Sequence, residues 1–137
     1  IGIWGWSYGG FNTLMSMSEG RGVFKAGVAV APPTDWRFYD TIYTERYMRT
    51  PKENPDGYAL NPIGRASQLQ GALLICHGLA DDNVHPQHTF EYADALVQAD
   101  KDFREIYYTN RNHSIYGGNT RHHLMRQIAQ FFQHELK

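Results

Sequence analysis

Two runs without polar alternation, Ala26-Gly27-Val28-Ala29-Val30-Ala31 and Ala72-Leu73-Leu74-Ile75-Cys76-His77, constrain the fold most. A strand with one face in water alternates apolar and polar residues, whereas a strand covered on both faces does not. Pro32-Pro33 closes the first run, because a proline pair cannot continue a central strand. A third strand is expected over 103–108, and a fourth in the apolar run that opens the chain. Between the strands, helical spacing predicts helices over 11–17, 34–49, 86–99 and 119–136, a short one from Asn61-Pro62, and a surface loop over 50–60. On the helix over 86–99, Phe90, Ala93, Leu96 and Val97 are expected on one side. Strand and helix alternate, so the expected class is α/β: a parallel sheet flanked by helices.

At the end of the first strand stands Gly5-Trp6-Ser7-Tyr8-Gly9, a G-x-S-x-G pattern followed by a helical segment. In a nucleophile elbow this pattern sets the serine on a tight strand-to-helix turn, its two glycines removing side chains that would clash. At the carboxyl end of the second buried run comes Gly78-Leu79-Ala80-Asp81-Asp82-Asn83-Val84-His85, and after the last strand a polar loop leads to His113. Functional loops of open α/β sheets lie at the carboxyl ends of strands. Ser7, then an acid, then His113 is the chain order of α/β-hydrolases. In that arrangement His113 takes the Ser7 proton and an acid orients the imidazole, while the Tyr8 N–H serves as one oxyanion donor. Spacing does not choose between Asp81 and Asp82.

Other features have plainer readings. Trp36, Tyr39, Tyr43 and Tyr47 recur at helical steps, which by itself fits a stripe packed into a core. Of the 7 histidines, His85 and His88 could share a helix face, but no third ligand accompanies them, so no metal and no cofactor is expected. A net charge of −1 gives no reason to expect nucleic acid as a partner. The single Cys76 precludes an internal disulfide. The chain of 137 residues opens inside what reads as a buried strand, so a piece of a longer protein is expected, and a missing signal sequence carries no weight.

The stretches Gly5-Trp6-Ser7-Tyr8-Gly9-Gly10 and Ala80-Asp81-Asp82-Asn83-Val84-His85 resemble the prolyl oligopeptidase family, and its dipeptidyl-peptidase branch in particular. The segment Tyr39 to Met48, and Tyr108-Thr109 leading to His113, agree in type and order, so the resemblance runs nearly end to end. It implies that residues 1–137 are the C-terminal portion of an α/β-hydrolase peptidase domain, with the earlier hydrolase strands and a β-propeller elsewhere. It makes Asp81 the triad acid and Asn83 the partner of the substrate's second carbonyl. Trp36, Tyr39, Tyr43, Tyr8 and Val84 become the walls of a proline pocket, which displaces the core reading of the aromatic stripe. Pro33 stands where the branch is expected to carry a small branched residue. The implied activity is release of X-Pro or X-Ala dipeptides from peptide amino termini. The implied enzyme is a homodimer outside the cytoplasm, either periplasmic, secreted or membrane-anchored. Its paired amine-binding glutamates and its second oxyanion donor would lie outside this chain. The alternatives are an acyl-peptide hydrolase, a prolyl tripeptidyl peptidase or an esterase, and, from another class, an association module.

Overall fold

The computed structural model describes residues 1–137. Four parallel strands, β1 (Gly2–Trp6), β2 (Ala26–Val30), β3 (Ala72–Gly78) and β4 (Arg104–Tyr108), lie in the order β1-β2-β3-β4. Helices α1 (Tyr8–Glu19), α2 (Thr41–Met48), α3 (Pro55–Ala59), α4 (Gln87–Gln98) and α5 (Thr120–Glu135) connect or flank them. The sheet is the expected one.

Alternate residues of the central strands feed two cores. Val28, Val30, Leu74 and Cys76 pack with Leu124, Ile128 and Phe131 of α5. Ala29, Leu73 and Ile75 pack with Leu14 and Met17 of α1 and with Tyr92 and Leu96 of α4. Both faces of β2 and β3 are therefore dry, which is why neither strand alternates. Strand β1 sits at one edge, with Trp4 half exposed.

Three local expectations are corrected. The span 34–49 is not one helix. A 3-10 turn at Trp36–Phe38 gives way to extended backbone at Tyr39, and α2 begins at Thr41. The cause is a pair of aspartates: Asp35 accepts the Arg37 N–H and Asp40 the Tyr43 N–H, so each starts a new helical segment. The span 50–60 is not all surface loop, because Asn54 caps α3, which buries Tyr58. Finally, α4 buries His88, Thr89, Tyr92 and Leu96, while Phe90 and Val97 face outward.

Candidate active site

The elbow is built by close approach of backbone. A Cβ on Gly5 would overlap the Gly9 carbonyl, so strand and helix can meet only at a glycine. A Cβ on Gly9 would meet nothing, which corrects the expectation that both glycines relieve a clash. Between them Ser7 adopts φ 58°, ψ −120°, a conformation that costs a non-glycine residue on the order of 1–3 kcal/mol. Its backbone is held all the same, since the Ser7 N–H donates to the Val30 carbonyl at 2.8 Å. Tyr8 is the first helical residue, so its N–H has no carbonyl one turn back and is free to donate elsewhere.

Geometry sets the two neighbouring acids apart. Asp81 is buried, and its Oδ2 accepts from His113 Nδ1 at 2.8 Å. Its Oδ1 accepts the N–H groups of Asn83 and Val84, each at 2.9 Å. Asp82, next to it, is exposed. Burial alone would raise the Asp81 pKa. Hydrogen bonds from His113, His77 and the Asn83 backbone outweigh it and hold the carboxyl below the usual carboxylate range. Asp81 is thus an anion at neutral pH, and an acceptor-only one.

His113 rides on a loop that is pinned from several sides. Trp6 Nε1 donates to the His113 carbonyl at 2.9 Å, which ties the residue before Ser7 to the residue that would serve as its base. Ile115 is wholly buried at φ 45°, a strained conformation for a β-branched side chain, and it anchors the loop in the core under α5. Gly78 allows the same loop to cross β3, where a Cβ would strike the Asn112 carbonyl. With Nδ1 engaged by Asp81, the Nε2 of His113 has no protein partner and is the nitrogen available to a hydroxyl. Ser7 Oγ makes no hydrogen bond in this structure.

The aromatic residues form one continuous surface. Trp36, 6% exposed, is its hub, with ring centroids 5.9 Å from Tyr8, 5.1 Å from Phe11, 5.9 Å from Tyr39 and 6.1 Å from Tyr43. Tyr8 and Tyr43 remain open to solvent. Tyr39 Oη donates to Asn83 Oδ1, and burial followed by the charge of Asp40 raises its pKa, so the phenol keeps the proton it donates. Val84 is fully buried and offers no exposed wall here; its backbone instead frames Asp81. His88 accepts the Thr34 N–H at Nδ1, so that lone pair is not open to a metal.

Four residues that shape the site were not singled out from the sequence: Trp6, Phe11, His77 and Ile115. His77 carried a signal, since it is the one polar side chain closing an apolar buried run. The other three, Trp6 and Phe11 around the serine pattern and Ile115 in the loop after His113, carry no distinguishing signal.

Comparison with known proteins agrees with this fold. The model of the prolyl oligopeptidase family matches residues 1–137. Dipeptidyl peptidase 4 of Bos taurus is 44% identical over 137 residues, covering 97% of this chain and 18% of its own length. The crystal structure of Porphyromonas gingivalis dipeptidyl peptidase 4 superposes with a TM-score of 0.97 at 60% identity, over 98% of this chain and 19% of that one. The chain spans less than a fifth of the length of the relatives it matches. Over that span its fold superposes on theirs, and the chain belongs to the prolyl oligopeptidase family.

Proposed function

We propose that Ser7, His113 and Asp81 are the catalytic triad of a serine exopeptidase that releases X-Pro or X-Ala dipeptides from peptide amino termini. The observation that carries this is the 2.8 Å contact of His113 Nδ1 with buried Asp81, on a loop tied through Trp6 to the elbow of Ser7. His113 Nε2 takes the Ser7 proton as Oγ attacks the scissile carbonyl. The tetrahedral oxyanion accepts the Tyr8 N–H, and the same proton then goes to the leaving amine, giving an acyl-enzyme that water hydrolyses. Asp81 stays ionised throughout and stabilises the imidazolium.

Trp36, Tyr39 and Tyr43, with Tyr8, suit a pyrrolidine ring, which is flat and lacks an N–H. Asn83, oriented by Tyr39, is left with its amide N–H groups to give to a substrate carbonyl. Residues 1–137 then form the C-terminal portion of the peptidase domain. The second oxyanion donor and the amine-binding carboxylates would come from elsewhere in the full-length protein. A homodimer placed outside the cytoplasm belongs to the same proposal, to be checked by sedimentation and cell fractionation. No helix here is long and apolar enough to cross a membrane.

The test is a substrate panel on the full-length protein. Faster turnover of a Gly-Pro amide than of its N-acetylated form or of a simple ester is expected. Preference for the N-acetylated substrate would instead assign an acyl-peptide hydrolase, and preference for the ester an esterase.

A further inference from the structure

His77, at the carboxyl end of β3, has no exposed surface. Its ring is held at both nitrogens: Nδ1 lies 2.6 Å from Thr89 Oγ1 of α4, and Nε2 lies 2.7 Å from the Val84 carbonyl. A carbonyl only accepts, so Nε2 carries a proton, and in the neutral ring Nδ1 then accepts the Thr89 hydroxyl. The same Nε2 is 3.3 Å from Asp81 Oδ2, the oxygen that receives His113.

A buried histidine with satisfied partners is often just a piece of core. Two facts separate this one. Its donor is shared with the very carboxylate oxygen that holds His113. It also grips the Val84 carbonyl while Asp81 Oδ1 grips the Val84 N–H, so one peptide segment is fixed from both sides. We infer that His77 is a positioning residue: through Nε2–H, aimed by Thr89, it fixes the Asp81 carboxylate and moderates the charge that His113 meets. The inference rests on the triad proposal above.

Removing the donor concentrates negative charge on Oδ2 and frees the carboxylate to turn. A less shared carboxylate holds a proton on the Asp81–His113 pair more strongly, so the acid limb of the pH–rate profile moves to higher pH. The other titratable groups facing His77 are His88 of α4 and Tyr107 of β4, its register partner, whose hydroxyl is engaged by Glu105. Both remain in place in the variants below.

The experiment measures kcat, KM and the pH profile of kcat/KM for the full-length protein on a Gly-Pro amide. His77→Gln can return an N–H to the place of Nε2 and is expected to stay within about threefold of wild type, with the acid limb unmoved. His77→Leu is expected to lower kcat by about tenfold or more at a KM within about twofold, and to raise the acid limb. Leucine behaving like glutamine in both readouts overturns the inference. Should His77→Leu fail to fold, Thr89→Val decides, since it keeps the ring but removes its aim. A loss in kcat of about threefold with a raised acid limb is then expected, and wild-type behaviour overturns the inference. Asp81→Ala separates the two levels: full activity there ends the triad proposal itself, whereas inactivity there beside a wild-type His77→Leu counts against His77 alone.

Discussion

Tyr39 Oη donates to Asn83 Oδ1 at 2.6 Å, joining the aromatic surface to the loop that carries Asp81 across 44 residues of sequence. The bond leaves the Asn83 amide oriented with its N–H groups free, and it depends on a phenol that stays protonated. Tyr39→Phe keeps the ring and removes the donor. An exposed neutral hydrogen bond contributes about 0.5–1.5 kcal/mol, so KM for a Gly-Pro amide is expected to rise by about two- to tenfold. Steady-state kinetics check this, and an unchanged KM would detach Asn83 from substrate binding.

Trp36 touches Tyr8, Phe11, Tyr39 and Tyr43, so its loss opens the surface that the other four rings border. Trp36→Ala is expected to reduce the preference for Gly-Pro over Gly-Leu amides by about tenfold or more, on the scale of 1–3 kcal/mol for pocket fit. Competition between the two substrates in one assay reads the ratio directly. A ratio held at the wild-type value would place proline recognition elsewhere.

His88 is buried in α4, and burial first, then the nearby His77, push its pKa down to about 4. The unfolded chain takes up this proton near the ordinary value of about 6.5. Between those two values the unfolded state binds more protons, so stability falls as pH drops through that window and is flat above it. The full shift is worth roughly 3 kcal/mol. His88→Asn can keep an acceptor for the Thr34 N–H while removing the titration. Urea unfolding from pH 7 to pH 4 is expected to show wild type losing about that much more stability than the variant. Parallel curves would mean that His88 titrates normally.

The sheet was legible because two strands buried on both faces leave unbroken apolar runs, and the elbow because Gly5 and Ser7 answer steric demands that few residues meet. The broken helix over 34–49 was not legible, since aromatic spacing outweighed Asp35 and Asp40, which capture backbone N–H groups and restart the chain. On α4 the expected face favoured Phe90 and Val97 over His88 and Thr89. The polar pair is buried because Thr34 and His77 satisfy it. The choice of Asp81 over Asp82 depends on which carboxyl a turn directs inward, and that is a property of the folded loop: Asp81 accepts two backbone N–H groups from the residues that follow it.

In the proposed mechanism the chain supplies one oxyanion donor, the Tyr8 N–H, and the second comes from outside residues 1–137. A missing donor costs about 3–4 kcal/mol of transition-state stabilisation. Residues 1–137 expressed alone are therefore expected to turn over a Gly-Pro amide at least about a hundredfold more slowly than the full-length protein. Equal rates in a coupled amide assay would show that the chain holds a complete site.

The most direct measurement is covalent labelling of the full-length protein with a fluorophosphonate, followed by peptide mapping. A single adduct on Ser7, formed in step with loss of Gly-Pro amidase activity and abolished in His113→Ala, is the expected result. An adduct on another serine, or full activity after Ser7→Ala, would contradict the assignment of Ser7 as nucleophile.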